Sequence, residues 1–368
     1  MNPFSPNQNG VDMGLRNFIA RRIIYSFILI ILVIGVNFLI FMKMPGDPTD
    51  FLMAAWSRES PQQRQEHENA LKDLWGIGDP WHIQFAKYLR NLLSWNFGVE
   101  IAGRRPISLV MEQKIPYTVL LLGMSTILSI IIGVLLGIFV IQRRGGLFDS
   151  SALGISLILN SLPTFWLGLI LLWIFSNTLK WFPGSHAFPN EWVLTGGAPQ
   201  PFAISITPQI TSLTTSVSIN MNNFFALVGG YLSHLVLPLT TLTLFSFGGW
   251  LLLTRATMLE TITEDYVLTA RAKGLDERRI LYKHAFRNAS LPIITSAAMS
   301  FGFILSGAII TETVFSYPGL GGWIWTAISL RDYTVLMAVF YVISLCVIIA
   351  NIVADLLYGV IDPRIKYG

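Results

Sequence analysis

The sequence predicts an all-α, polytopic membrane protein with about six transmembrane helices. Three observations carry that reading. Of 368 residues, 53% are hydrophobic and 12% charged, with mean hydropathy +0.57. A soluble domain carries about twice that charge, so polar surface is too scarce to cover a body in water. Apolar stretches of about 20 residues, the length that crosses a bilayer, recur along the chain. Such stretches must be helical, because unpaired backbone in lipid is too costly. Finally, the basic residues lie in the segments between the apolar runs, and among the short segments they favour one side. The net charge of +4 therefore reads as membrane topology rather than as a surface for nucleic acid.

Residues 1–22 read as a cytoplasmic N-terminal segment closing on Arg21-Arg22, and 23–43 as the first transmembrane helix, with Ile23–Met42 as its apolar run. That run has no small-residue cleavage site and exceeds a signal-peptide core, so it is expected to stay on the protein. Residues 44–115 read as an external helical cap. Pro61 to Trp75 and Trp81 to Trp95 have near-helical spacing, and Gly76-Ile77-Gly78-Asp79-Pro80 forms the break between them. Residues 116–358 read as the transmembrane core, with apolar runs at Pro116–Ile141, Ala152–Thr178, Leu232–Leu253, Leu291–Phe315 and Thr334–Tyr358. Pro163 and Pro238 each remove a backbone donor inside a run and invite a kink. An external insertion at about 180–231 is rich in Ser, Thr and Asn; an ordered cap, a short strand pair and a mobile segment all fit it. A loop at about 255–290 carries most of the remaining basic residues, and 359–368 is the tail.

Arg16, Arg21 and Arg22, then Arg143 and Arg144, then Arg255 to Arg287, then Arg364 and Lys366 all fall on one side. The other side's short segments carry Lys180 and Arg331. Both termini are therefore expected in the cytoplasm. Cys346 lies in an apolar run and reads as packing. Asn288-Ala289-Ser290 fits a glycosylation pattern but falls on the cytoplasmic side, which excludes that use.

The loop between the fourth and fifth runs is the most informative stretch. Thr263 is a candidate N-cap, and Glu264 and Asp265 occupy a first turn that favours acids. Arg271 and Lys273 occupy a last turn that favours bases, and Gly274 fits a left-handed stop. Asp276 can cap a second helix reaching about Arg287, before Pro292 opens helix five. Tyr266, Ala270 and Gly274 recur at every fourth position, giving a face of small residues that permits close approach by another protein. A basic amphipathic loop resting on anionic lipid fits the same chemistry.

The segment Asp265-Tyr266-Val267 followed by Thr269-Ala270-Arg271-Ala272-Lys273-Gly274-Leu275, ending at Leu291-Pro292, resembles the cytoplasmic signature of ABC-importer permeases. The dipeptide/oligopeptide/nickel branch is the nearest match. Further similarities lie in order along the chain: Pro45-Gly46-Asp47-Pro48, Gly103-Arg104-Arg105-Pro106, Arg143-Arg144-Gly145-Gly146 with Phe148-Asp149, and Ser161 through Gly168. They continue with His234 through Pro238, Glu312 through Gly321, Arg331-Asp332-Tyr333, and Asp362-Pro363-Arg364.

The resemblance implies a permease subunit forming half of a translocation pathway, in the inner membrane of a prokaryote. It implies a second homologous permease, two ATP-binding cassette subunits and an external or periplasmic solute-binding protein as partners. ATP and Mg would be held by the partner ATPases, and no cofactor or metal by this chain. It assigns Asp265, Tyr266, Thr269, Ala270, Arg271, Ala272, Lys273, Gly274 and Leu275 to a loop that couples to the ATPase. The wider superfamily has Glu-Ala-Ala before the glycine, where Leu268, Thr269 and Ala270 stand here, so a contact specific to that Glu is not carried over. Peptides are the expected cargo; oligosaccharides and nickel chelates are the alternatives.

Candidate pathway residues are Asn160, Ser161 and Pro163, where helix three can open its backbone to a cavity, and Glu312, an acid near an apolar core. A packing kink at Pro163 and a structural tie from Glu312 to the Pro318–Gly322 turn are the competing uses. Asn37 reads as an interhelical hydrogen-bonder, and Asp355 as a snorkelling or paired acid. The chain carries no phosphate-binding loop, no Cys/His spacing that suits a metal and no nucleophile–base pattern, so it reads as a transport subunit rather than an enzyme. An ion-gradient transporter and a membrane scaffold that recruits a soluble protein are the rivals from other classes.

Overall fold

The computed structural model describes residues 15–43, 60–76, 78–189, 202–208, 213–219 and 221–361. The Pro45–Pro48 and Asp362–Arg364 motifs, with Lys366, lie outside them, as does the Asp355 side chain. The helices are α1 (Leu15–Lys43), α2 (Pro61–Trp75), α3 (Trp81–Leu93), α4 (Ile107–Gln142) and α5 (Leu147–Ser161), then α6 (Thr164–Leu171), which runs on as a π-helical turn over Leu172–Thr178. After them come β1 (Phe202–Pro208), β2 (Leu213–Ile219), α7 (Met221–Ile262), α8 (Asp265–Ala272), α9 (Glu277–Arg279), a π-helical turn over Ile280–Ala285, and α10 (Phe286–Gly302). A 3-10 turn at Ile304–Ser306 leads to α11 (Ile309–Val314), α12 (Leu320–Leu330) and α13 (Tyr333–Ile361).

Helices α1, α4, α7 and α13 are each long and apolar enough to cross a membrane, and the apolar pair of α5 and α6, bent by 102° at its break, makes a fifth if counted as one span. Helix α1 buries Ile34 and Phe38 and exposes Ile23, Phe27, Leu32 and Leu39, as a helix bathed in lipid does. Helix α7 has 42 residues, about 63 Å at 1.5 Å per residue. It therefore projects beyond an apolar layer of about 30 Å.

Glycines bring α4 against α7. A Cβ at Gly133 would lie 2.6 Å from the Phe247 carbonyl oxygen, and one at Gly137 would lie 2.7 Å from Thr254 Cβ. The Gly-x-x-x-Gly spacing of the pair is the one that lets membrane helices approach closely. Gly248 does the same for α5, where an added Cβ would meet the Ser156 carbonyl at 2.8 Å. Helix α7 is thus the post on which α4 and α5 are both mounted.

Four prolines fall in helical surroundings and only one breaks the chain. Pro116, Pro238 and Pro292 sit inside α4, α7 and α10. At Pro163 the preceding Leu162 takes extended angles, φ −75 and ψ 139, the conformation that a following proline favours. The predicted start of helix five at Pro292 is corrected: the helical path begins at Glu277 and passes through Pro292. The predicted single run Leu291–Phe315 is also divided. Helix α10 stops at Gly302, and Gly307 adopts φ +75 where a Cβ would lie 3.1 Å from the Gly321 backbone. The chain then turns through α11 rather than continuing outward.

Both helices expected after the first span form. Ser60 and Gln63 make a reciprocal capping box at the start of α2, and Gly76 ends that helix in the left-handed conformation, φ 65. Their inner faces join a buried aromatic cluster in which Phe38 stacks edge-on against Phe85 at 5.2 Å, and Tyr88 lies 5.6 Å from Phe38 and 5.9 Å from Trp75. Of the three readings open for the 180–231 insertion, a strand pair is present: β1 and β2 are antiparallel, with Phe202 opposite Ile219 and Pro208 opposite Leu213. Residues 190–201, 209–212 and 220 lie outside the described residues.

Candidate functional site

The loop after α7 is a small body of its own. Val267 and Ala270 from α8 pack on Ile280 and Leu275, a cluster separate from the larger cores. Gly274 takes φ +73 with open space where a Cβ would stand, so backbone conformation rather than crowding selects glycine. Asp276 caps the next turn, accepting from the Arg278 N–H at 3.1 Å. Arg271 closes the loop with a bond from Nε to Glu277 Oε1 of 2.7 Å.

Two expectations for this loop are corrected. Thr263 is not the cap: its hydroxyl donates back to the Glu260 carbonyl, and Glu264 holds the cap position without a side-chain bond. Of the predicted small-residue face, Ala270 is 6% exposed and turned into the loop's own cluster, while Tyr266 and Gly274 stay exposed. The outward face instead carries Asp265, Tyr266, Leu268, Thr269, Ala272 and Lys273. Leu268 is a large apolar side chain left 52% exposed.

An ion pair ties the foot of α7 to the start of α5. Arg255 donates from Nε to Asp149 Oδ1 and from Nη2 to Oδ2, each at 3.0 Å, and the Gly145 N–H adds a third bond at 3.0 Å. Asp149 is buried, and Arg143 lies over the Phe139 ring at 4.6 Å beside it.

At the opposite end, Glu312 is fully buried. Its Oε1 accepts from the Thr118 hydroxyl at 3.1 Å and its Oε2 from the Gly322 N–H at 2.9 Å. Thr118 Oγ1 also accepts from the Leu320 N–H at 2.7 Å. An added Cβ at Gly319 would lie 2.5 Å from the same hydroxyl oxygen, so that glycine makes room for the knot. The tie from Glu312 to the Pro318–Gly322 turn is thus the arrangement present.

Two more buried acids brace this end. Glu100 accepts from Arg105 Nε at 3.0 Å and Trp323 Nε1 at 2.8 Å. Asp332 accepts from the Ile101 N–H at 2.6 Å, the Thr334 hydroxyl at 2.6 Å and the Val335 N–H at 3.2 Å. Burial pushes the Asp332 carboxyl above the ordinary carboxylate range, while those three donors pull the other way.

The four candidate pathway residues do not converge. Asn160 Nδ2 donates to the Phe245 carbonyl on α7 at 3.1 Å, Ser161 bonds the Leu157 carbonyl in its own helix, and Pro163 forms the bend. Glu312 instead lines a cavity of about 490 Å³ with Glu100, Arg105, Lys114 and Trp325, and none of the other three reaches it. Asn37 departs from its expected role: its Nδ2 is buried with no hydrogen-bond partner among the described residues. Arg255, Glu100 and Asp332 are the residues that sequence reasoning passed over as working groups. Their partners lie 106, 223 and 231 positions away. The Gly133–Gly137 spacing, by contrast, was visible in the sequence.

Comparison with known proteins accords with this architecture. Residues 129–367 match the model of the binding-protein-dependent transport system inner membrane component, and residues 15–121 match its N-terminal component. The oligopeptide transport system permease protein AppB of Bacillus subtilis is 32% identical over 351 residues, 95% of this chain and 99% of the relative. The di/tripeptide transport system permease protein DppB of Pseudomonas aeruginosa is 35% identical over 354 residues, 95% of this chain and 99% of the relative. The dipeptide transport system permease protein DppB of Escherichia coli K12 is 33% identical over 340 residues, 91% and 95% of the two chains.

Proposed function

The chain belongs to the family of binding-protein-dependent transport system inner membrane components, a family of multi-pass permease subunits rather than enzymes, and we propose that it is half of the translocation pathway of an ATP-driven peptide importer. In this reading it pairs with a second homologous permease in the inner membrane of a prokaryote. Two ATP-binding cassette subunits, holding ATP and Mg, act from the cytoplasm, and a solute-binding protein delivers cargo from outside. The peptide cargo rests on the relatives' transport names.

The observation that carries the coupling role is the outward face of α8, where Tyr266 and Leu268 stand exposed at the end of a helix that runs the full depth of the core. An ATPase that grips this face would move α8 and α9 as one body, because their shared cluster and the Arg271–Glu277 bond hold them together. The motion then passes to α7 directly, and to α5 through Arg255 and Asp149. Alternating access follows from two connected levers, and no chemistry is required of this chain.

The test is Gly274→Val in the importer reconstituted from all its subunits. A β-branched residue is strained at φ +73, so the turn between α8 and α9 is distorted while the spans are untouched. Peptide uptake is expected to fall sharply with membrane insertion retained. Uptake and ATPase association both at wild-type levels would contradict the coupling role.

A further inference from the structure

The cavity beside Glu312 holds a cation without a partner. Its ionisable walls are Glu100, Arg105, Lys114 and Glu312, and its flat walls are Tyr317, Trp323 and Trp325. Three of the four charged groups are committed. Glu100 receives Arg105 and the Trp323 indole, and Glu312 is enclosed with its oxygens on Thr118 and Gly322. Lys114, in the second turn of α4, senses the charges of Glu100, Arg105 and Glu312, yet it has no ion pair or hydrogen bond among the described residues. Lys114 is half-buried, and burying an ammonium is costly unless it gains hydrogen-bonded acceptors. The Arg105 side chain is 50% exposed and has N–H groups to spare beyond its contact with Glu100.

We propose that this cavity receives the C-terminal carboxylate of a peptide, with Lys114 as the cation that holds it and Arg105 as a second donor. Of the aromatic residues that line it, Tyr317 and Trp323 are buried, and Trp325, 52% exposed, offers a ring to the last residue without selecting one side chain, as a carrier of mixed peptides requires. The cavity's volume, about 490 Å³, suits the end of a peptide rather than a whole chain. It opens between the start of α4 and the turn before α12, the end that the charge pattern places outside, where cargo arrives. The inference rests on the peptide-importer reading and adds the group by which this subunit recognises its cargo.

The experiment uses the complete importer in nanodiscs of phosphatidylcholine, free of anionic lipid, and in vesicles of the same lipid. Uptake of trialanine is compared with that of its C-terminal amide, each scaled to the amount loaded on the binding protein. Losing one charge-assisted contact corresponds to about tenfold. The ratio of acid to amide uptake should fall by about that factor in Lys114→Met and persist in Lys114→Arg. A second measurement needs no variant: reductive methylation of the wild-type complex, read by mass spectrometry at Lys114, should be suppressed by trialanine and not by the amide. An unchanged ratio in Lys114→Met, or equal labelling with both peptides, overturns the carboxylate site and leaves the importer intact. Absence of ATP-dependent uptake of either peptide by the wild type overturns the importer reading itself.

Discussion

At the outer end of the molecule, Glu100, Asp332 and Glu312 are buried carboxylates, and every carboxylate oxygen meets a donor. In the loop after α7, Asp265, Arg271, Lys273 and Glu277 are exposed, and one small apolar cluster holds the fold. The outer acids cross-link the segment before α4 to α12 and α13, so the cap cannot shift without exposing unpaired polar groups. The inner loop carries no buried carboxylate among the described residues and meets the core through Leu281 and Ala285, in the cluster of Ile141 and Met258, and through the Tyr282 hydroxyl, which accepts from Gln142 Nε2 at 2.8 Å. One region is built to keep its shape while cargo arrives; the other is a handle whose position is left to whatever grips it.

Four substitutions probe that contrast, in descending order of effect. Asp332→Ala would leave the Ile101 and Val335 N–H groups buried without their acceptor. The expected cost is about 2–6 kcal/mol, at 1–3 for each of the two orphaned groups, read as thermal unfolding of the purified chain. A loss below about 1 kcal/mol would show that the outer end is not braced as described. Arg255→Ala would strand a buried Asp149. Because Arg255 is itself 26% exposed, the cost falls at or below the low end of the usual range, about 2–3 kcal/mol. Peptide uptake per ATP hydrolysed should fall with it, whereas unchanged coupling would remove α5 from the lever.

Tyr88→Phe tests the outer end in the other direction. The Tyr88 hydroxyl is buried without a hydrogen-bond partner among the described residues, and burial with the nearby Tyr341 pushes its phenol far above its ordinary range. Removing the hydroxyl should leave stability equal or up to about 1 kcal/mol higher, and a clear loss would reveal a partner for that oxygen. Arg271→Ala is the smallest expected change. Its ion pair with Glu277 is exposed, worth less than about 1 kcal/mol, so unfolding should barely move.

The legible parts of the fold were those written in local chemistry. Gly76, Gly274 and Asp276 mark helix ends by their own side chains or backbone freedom, and each does so in the structure. Tertiary context decided the rest. Nothing near Pro292 tells a reader that the helix passes through it while Pro163 bends by 102°. The small face of α8 looked like a docking surface because periodicity cannot say which neighbour a face will meet. Ala270 met Ile280 of its own loop. The same limit hid the Asp149–Arg255 fork, since both residues were visible and only their contact was not.

The central claim is that the outward face of α8 is the grip for an ATPase, and Leu268 is its most exposed large side chain. Co-purification of the ATPase subunits with affinity-tagged wild-type chain and with Leu268→Asp tests it most directly. The account predicts that the wild type retains both ATPases and that Leu268→Asp loses them while still folding and inserting. Undiminished retention in Leu268→Asp would mean that this face rests on lipid or solvent, and that the handle lies elsewhere.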